Sequence, residues 1–348
     1  MIDLGFTDEQ AELRASAAGL LGGPGAMARV RAAEPRGFDP ELWDKLFGSG
    51  FVTMGIAEDR GGSSAGALEL AILAEEYGRA LAPVPVIEAI VAAQLLERAP
   101  GGADFLRAVV SGEVIPTIVL APAARAGGSL VPAGAVAHAA IALREDQLIA
   151  IWRPTDPQAV QVIDNLAGLP VSQWDLSAEP AEVLAAGPQA AALFRDAVTH
   201  WKLLTAAALN GLRERALKIG IDYVKERYAF GVPLGWFQAV QHRFADDTAA
   251  GEGTQLLVYE AATARTLQRP TAAALANMAF VHGAETAFRT CRTSLQFHGG
   301  YGFTLEYDIQ LYFRRAKAWP LLLGPARDAY EDLATELFGP AGEESHEL

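Results

Sequence analysis

The order in which helical and β-type patterns follow one another limits the fold of this chain more than any other feature. Residues 1–112 show the apolar spacing of helices, residues 113–186 are rich in short β-type runs, and residues 187–348 return to longer helical patterns. We therefore predict a mainly α protein with a small β domain: an N-terminal helical domain, a middle antiparallel β domain and a C-terminal helical bundle over these ranges. The chain has 348 residues, of which 51% are hydrophobic, which is enough for a large core and two or three domains.

The helical signals of the first range mark helix ends. Thr7 followed by Gln10 fits a capping box, in which two side chains satisfy free backbone N–H groups. Asp39 before Pro40 is typical of a helix start, because proline at the first helical position removes an N–H group that would lack a partner. Further helices are predicted over Ala67–Ala80, 86–98 and 102–111.

The middle range has the features of a small sheet. Val114–Leu120 is rich in β-forming residues, and Ala140–Leu143 and Gln147–Trp152 flank a charged turn, as in a β-hairpin. Shorter strands are predicted at 160–163 and 181–184. Because no helical pattern separates these runs, we predict an antiparallel sheet or barrel and not βαβ units. The glycines here do not form the turn pattern of a dinucleotide-binding fold.

The third range contains the longest helical patterns. Leu212, Ala216, Ile219 and Tyr223 form one apolar stripe, so we predict a long helix that is ended by Gly231. Two more long helices are predicted over about 237–266 and about 271–296.

Two glycines, Gly251 and Gly253, interrupt the second of these long helices, and each costs about 1 kcal/mol relative to alanine. The sequence leaves open whether they mark a kink or a close helix crossing.

Composition and charge exclude several classes of function. The net charge of −14 argues against nucleic-acid binding, which needs a basic surface. The six histidines show no paired metal-ligand spacing, so no metal is expected. The single cysteine, Cys291, rules out an intrachain disulfide and is interpreted as a small buried hydrophobe on a helix. No apolar run approaches the about 20 residues that span a membrane, and the start lacks a signal-peptide pattern. We expect a cytoplasmic protein with no membrane partner.

A first motif with chemical content is Arg227-Tyr228-Ala229-Phe230-Gly231, which Gln238 and Gln241 follow. In the last turn of a helix, the planar guanidinium of Arg227 is able to reach a diphosphate through two parallel hydrogen bonds. Phe230 offers a flat apolar face to a base, and Gly231 lets the backbone turn without a Cβ penalty. Spacing alone favours ordinary helix termination, with an arginine in the last turn and a glycine cap.

The second motif is Gln296-Phe297-His298-Gly299-Gly300-Tyr301-Gly302. Its glycines would let a ligand approach the main chain closely, and the Gln296 amide adds a hydrogen-bond donor. A glycine-rich loop between helices explains this pattern equally well.

Taken together and in this order, the two motifs resemble those of the acyl-CoA dehydrogenases, which desaturate acyl-CoA thioesters with FAD. The succession of helices, β domain and long helices is also that of the family. In its homotetrameric members, the two motifs reach across a subunit interface to the adenosine diphosphate half of the neighbour's FAD. The resemblance implies that the cofactor-binding residues here are Arg227, Phe230, Gly231, Gln238, Gln296, Gly299 and Gly300, with Gln238 and Gln241 as weaker candidates that pack the interface.

The chain departs from the family at the flavin-ring end. Family members carry Thr-Glu-Pro with a nearby Gly-Ser-Asp at the start of the β domain, where these residues surround the isoalloxazine ring and the thioester. The matching stretch Leu120–Ser129 keeps Pro122 and lacks the threonine–glutamate pair. We therefore do not expect this subunit to hold a flavin ring of its own.

The catalytic base is the second departure. Removal of the α-proton of an acyl thioester requires a carboxylate whose pKa is raised by a dry site. In one branch of the family this glutamate follows an Arg-Asp-Ala-Lys run, and the matching segment Arg314–Leu323 places Leu323 there. In a second branch it lies upstream of the Arg-x-x-Phe-Gly motif, at a spacing that places Trp201 there. Neither side chain accepts a proton, so no catalytic residue is predicted.

The favoured hypothesis is a non-catalytic subunit of a heteromeric acyl-CoA dehydrogenase, similar to the heterotetramers of actinobacterial steroid degradation. A second, catalytically complete subunit would share the FAD and hold most of the acyl-CoA, with a steroid side-chain CoA thioester as the favoured substrate class. An electron-transfer flavoprotein would accept the electrons. Two alternatives remain open: a self-sufficient homomeric enzyme with a displaced acid such as Glu306 or Glu331, and a cofactor-free scaffold or regulatory protein.

Overall fold

The computed structural model describes residues 5–34, 36–123, 128–176 and 181–339. Helices come first along the chain, and most of the predicted ones are present within one or two residues of their expected ends. They are α1 (Asp8–Gly22), α2 (Ala26–Ala33), α3 (Pro40–Gly48), α4 (Ala67–Ala80), α5 (Val86–Arg98) and α6 (Ala103–Val110).

The starts of these helices show which capping residues in the sequence predict a helix correctly. The capping box is confirmed, since the Gln10 N–H donates to Thr7 Oγ1 at 3.2 Å and the Thr7 N–H donates to Gln10 Oε1 at 3.1 Å. Asp39 accepts from the Leu42 N–H at 3.1 Å and caps α3. The sequence did not predict α2, because Gly25 starts this helix without a side-chain cap.

The strands of the middle range form two small sheets. The first has the order β1-β3-β4-β7 and the second the order β2-β6-β5. Their bounds are β1 (Pro116–Ile118), β2 (Ser129–Val131), β3 (Ala139–Arg144), β4 (Gln147–Trp152), β5 (Val160–Val162), β6 (Ser172–Trp174) and β7 (Ala181–Ala186). Buried apolar side chains around Trp174 give them a core of their own.

The fold class is as predicted, with one difference in strand direction. The predicted hairpin is the antiparallel pair β3–β4, which runs from Ala139↔Trp152 to Arg144↔Gln147. In contrast, β1 pairs with β3 in parallel. The expectation of a purely antiparallel sheet is wrong at this edge, because the chain leaves β1, contributes β2 to the other sheet, and re-enters the first sheet in the same direction.

The C-terminal part is a bundle of long helices. They are α7 (Gly187–Glu226), α8 (Gln238–Thr266), α9 (Ala272–His298), α10 (Ile309–Leu321) and α11 (Ala326–Phe338), and the two-residue strands β8 (Tyr228–Ala229) and β9 (Val232–Pro233) lie between α7 and α8. None of the helices in the described ranges is long and apolar enough to cross a membrane.

The end of α7 differs from the prediction. The helix stops at Glu226, before the motif, and Arg227 is its extended C-cap. Phe230 and Gly231 form the turn of the β8–β9 hairpin with φ angles of 55° and 85°. Two consecutive positive φ angles suit a tight hairpin turn, so Gly231 serves this turn and does not end the helix.

The first and third parts of the chain meet where α4 crosses α7 with the backbones in contact. A Cβ atom at Gly78 would lie 1.8 Å from the carbonyl oxygen of Ala208, and one at Gly211 would lie 1.9 Å from that of Glu75. The two glycines therefore permit this crossing, which fixes α7 as the central helix of the molecule.

Candidate cofactor and acyl site

The two sequence motifs meet in space at the end of α7. Arg227 lies directly after this helix, and its Cζ atom is 5.8 Å from the centroid of the Tyr301 ring in the second motif. Arg227 is exposed, and it forms no ion pair with an acid in the described part of the chain. Its guanidinium is therefore held by a ring and retains its hydrogen-bond donors for a ligand.

The glycine turn of the second motif is open to solvent. It follows α9, and Gly299 has a φ of 62°, a left-handed conformation that favours glycine. A Cβ atom at Gly299 or Gly300 would meet nothing within 4 Å. Gln296 is exposed in the last turn of α9. The turn thus leaves space at the main chain that a ligand is able to enter.

The remaining predicted residues lie on the β8–β9 hairpin and at the start of α8, which follow Arg227 in the chain. Phe230 is 95% exposed at the tip of the hairpin, and its ring centroid is 6.2 Å from that of Phe237. Gln238 is the first residue of α8 and is exposed. The side chain of Gln241 donates to the carbonyl oxygen of Gly235 at 2.7 Å. Gln241 therefore stabilises the local backbone, whereas Gln238 stays a prediction as a ligand contact.

A second location holds Leu323, one of the two residues that the sequence analysis matched to the family's base. Leu323 lines a cavity of about 520 Å³ between α7, α9 and α11, and so do Leu120, Ala121 and Pro122. The stretch matched to the flavin-ring segment and one base position therefore share a cavity. The continuation of that stretch, residues 124–127, lies outside the described residues.

Trp201, the other residue matched to the base, is buried on α7. Its Nε1–H donates to Glu88 Oε1 at 3.2 Å, and its ring lies 5.8 Å from that of Phe280, which lines the same cavity. Trp201 packs in the core. Leu323 is half-buried and packs against the same core.

The cavity contains ionisable groups that sequence reasoning did not identify. Lys202 is buried, and its Nζ donates to Asp332 Oδ2 at 2.7 Å and to Asn277 Oδ1 at 2.8 Å. The Tyr330 hydroxyl donates to Glu285, and this hydrogen bond raises the pKa of Tyr330 to about 12. Lys202 was not recognisable because its partners lie 75 and 130 residues away in sequence.

The acids named as displaced bases do not line this cavity. Glu331 is on α11 but pairs with Arg327 at 2.6 Å on an exposed surface, and Glu306 is exposed in the turn before α10. The acids that line the cavity are Glu285, Asp328, Asp332 and Glu336.

Glu88 is a further acid that the sequence analysis missed. It is buried on α5, and burial raises its pKa. Its bond to Trp201 places it next to one base position, and it lines a small pocket of about 20 Å³ together with Arg315 and Leu322. The signal was available in the sequence, since this acid stands alone within the apolar part of Val86–Arg98.

Cys291 is buried on α9, and burial raises the pKa of its thiol, as expected for a residue that packs the core. In the ranges that the structure describes, no group of three or more histidine, cysteine or acidic side chains is arranged to hold a metal ion.

Comparison with known proteins agrees with this architecture. Residues 7–99 match the model of the acyl-CoA dehydrogenase N-terminal domain, and residues 191–338 match that of the acyl-CoA dehydrogenase C-terminal domain. Helices on both sides of a small β region, with the two motifs joined at the end of α7, define a protein of this type. The chain belongs to the acyl-CoA dehydrogenase family.

Two mycobacterial relatives span almost the whole chain. Acyl-CoA dehydrogenase IpdE2 of Mycobacterium tuberculosis is 32% identical over 335 residues, which are 95% of this chain and 98% of the relative. IpdE2 of Mycolicibacterium smegmatis is 29% identical over 336 residues, which are 96% of this chain and 100% of the relative.

Solved structures show the same fold. The Tcur3481-Tcur3483 steroid ACAD G363A variant matches with a TM-score of 0.84 and 27% identity, over 95% of this chain and 98% of that chain. The ChsE4-ChsE5 complex from Mycobacterium tuberculosis matches with a TM-score of 0.83 and 24% identity, over 97% and 99%.

Proposed function

We propose that this chain is the non-catalytic subunit of a heteromeric FAD-dependent acyl-CoA dehydrogenase. The observation that carries the proposal is that both family positions for the base hold residues that cannot take a proton. Leu323 lines the cavity as an apolar side chain, and Trp201 is itself a hydrogen-bond donor. Because a general base contributes about 10²–10⁴ in rate, the partner subunit must supply one.

The side chains present fit one half of FAD. Arg227, which has no ion pair in the described ranges, lies over Tyr301 of the open glycine turn that contains Gly299 and Gly300, and the exposed ring of Phe230 follows on the β8–β9 hairpin. These groups suit a diphosphate and an adenine. Gly231, Gln238 and Gln296 would complete this set.

The segment of this chain that matches the family's flavin-ring segment is different: Leu120, Ala121 and Pro122 offer no side-chain donor to a flavin ring. The flavin, when bound, accepts the hydride from the acyl group. In our proposal the residues of this chain contact only the adenosine diphosphate half of the partner's FAD.

The partner would be a catalytically complete acyl-CoA dehydrogenase subunit, which binds most of the acyl-CoA in a heterotetramer. We propose a steroid side-chain CoA thioester as the substrate, and the likeness to a steroid ACAD at 27% identity supports this class. An electron-transfer flavoprotein would take the electrons from the flavin.

Co-expression with a family member that keeps its glutamate tests the proposal. We expect a stable complex that contains FAD and oxidises the acyl-CoA, and we expect Arg227→Ala to lower its FAD content. Lys225→Ala is the matched control, since it removes a charge from the same helix end without touching the motif. The proposal is wrong if this chain alone binds FAD stoichiometrically and oxidises an acyl-CoA. A complex that never contains FAD would instead favour a cofactor-free scaffold.

One observation favours a second candidate function, a self-sufficient dehydrogenase. Glu88 is a buried acid that accepts a hydrogen bond from Trp201, one of the two residues matched to the base. Burial raises the pKa of Glu88, as a general base requires. This candidate predicts turnover by the chain alone that Glu88→Gln abolishes. If Glu88→Gln has no effect on an active chain, Glu88 is not the base.

A further inference from the structure

Four rings join the end of α7 to the glycine turn, and we call them the aromatic cluster: Tyr223, His298, Tyr301 and Tyr307. Tyr223 stacks on His298 with ring centroids 3.9 Å apart and an interplanar angle of 22°. Tyr307 lies at 6.0 Å from Tyr223, 5.5 Å from His298 and 6.0 Å from Tyr301. The three distances from Tyr307 are those of favourable aromatic pairs.

Tyr223 and His298 anchor the aromatic cluster on two helices, α7 and α9. Tyr223 is in the last turn of α7, and its carbonyl oxygen accepts from the Arg227 N–H at 2.9 Å. His298 is buried at the end of α9, with Nδ1 2.7 Å from the carbonyl oxygen of Ser294. Because a carbonyl only accepts, Nδ1 carries the proton of this ring. The cluster therefore fixes the two motifs relative to each other.

Tyr301 is the member of the cluster that contacts Arg227. Its side chain is 52% exposed, so Tyr301 is not a core residue. The Arg227 guanidinium lies over its ring. A long exposed arginine loses side-chain entropy when it binds a ligand, and a ring that holds it in place beforehand reduces this cost.

We propose that Tyr301, supported by the rest of the aromatic cluster, is a positioning residue that holds the Arg227 guanidinium in place for the diphosphate of FAD. This inference rests on the proposed function. It adds Tyr301 to the residues proposed for FAD binding, and Tyr301 acts on the cofactor only through Arg227.

The test measures FAD release from the co-purified complex with the partner subunit, followed by the fluorescence of released flavin. Tyr301→Leu is expected to speed release by roughly two- to fivefold, the effect of losing an exposed cation–π contact. Tyr301→Phe keeps the ring and should restore the wild-type rate. Phe303→Leu is the matched control, since Phe303 is 71% exposed in the same turn.

A double-mutant cycle separates positioning from packing. In an Arg227→Ala background, Tyr301→Leu should add no further increase in release, and the ³¹P shifts of the bound FAD should change in Tyr301→Leu but not in Phe303→Leu. Additive effects, or release from Tyr301→Leu equal to that from Phe303→Leu, would overturn the inference and leave the proposed function intact. If Arg227→Ala itself does not change release, the proposed function fails and the inference fails with it.

Discussion

The guanidinium of Arg213 lies directly against the backbone of Gly251, where α7 packs on α8. A Cβ atom at position 251 would lie 1.9 Å from Arg213 Cζ. Arg213 is buried and donates from Nε to Asn210 Oδ1 at 3.1 Å. The glycine in the middle of α8 therefore makes room for a buried arginine, which answers the question that the sequence left open about Gly251.

Two glycines on α8 should respond to alanine in opposite ways. Gly251→Ala overpacks the site of Arg213 and should lower the free energy of unfolding by about 1–3 kcal/mol. In Gly253→Ala the added Cβ meets only His282 Cε1, at 3.8 Å. This change should raise the free energy of unfolding by about 0.5–1 kcal/mol through helix propensity. Denaturant unfolding of both variants checks this prediction. A Gly251→Ala variant as stable as the wild type would contradict the close contact between Gly251 and Arg213.

Stability should fall as the pH rises through the titration of Glu75. This acid accepts from Asn210 Nδ2 and from the Tyr259 hydroxyl, both at 2.9 Å, yet burial raises its pKa from 4.5 to about 7. Between these two values the folded state binds the proton more tightly than the unfolded state. The free energy of unfolding therefore decreases over this window, by about 3 kcal/mol from this group, and is flat above it.

Glu75→Gln should remove this part of the pH dependence. Denaturant unfolding of wild type and variant at about pH 5 and about pH 8 measures the difference, since other titrating groups are common to both proteins. Equal slopes in the two proteins would show that Glu75 stays ionised when folded.

The ion pair between Lys202 and Asp332 should hold α11 against the bundle. Asp332→Ala leaves the buried ammonium group with Asn277 only and should cost about 1–3 kcal/mol, less than for a fully buried pair because Asp332 is exposed. Glu336→Ala, on the same helix and the same cavity, is the control and should be nearly neutral. Hydrogen exchange of the α11 amides would rise in Asp332→Ala alone, and equal exchange in both variants would argue against this role.

Restoring an acid at the base position should not create an enzyme. Leu323→Glu places a carboxylate at the cavity, but Leu120, Ala121 and Pro122 still give no donors to a flavin ring. We expect no acyl-CoA oxidation by the purified variant alone, in an assay with an artificial electron acceptor. Leu323→Gln is the isosteric control. Turnover of Leu323→Glu that exceeds that of the control by about 10² or more would show that the missing base was the only defect.

Local signals predicted most of the fold. Capping residues and apolar periodicity gave α1, α3, α4 and the β3–β4 hairpin, because these depend on neighbours in sequence. The signals failed at α2, whose glycine cap leaves no side-chain mark. They failed again at the parallel β1–β3 pair, since strand direction depends on the path of the chain through the second sheet.

For the site, the sequence by itself determined the residue types: an arginine, a ring and glycines for the nucleotide contacts that we propose, and no acid at Leu323 or Trp201. Only the tertiary structure decided that Arg227 lies over Tyr301, and that Glu88 meets Trp201 and Lys202 meets Asp332. The physical reason is that these contacts join residues far apart in the chain. Such contacts form only when helices that were each predicted locally pack at one particular crossing.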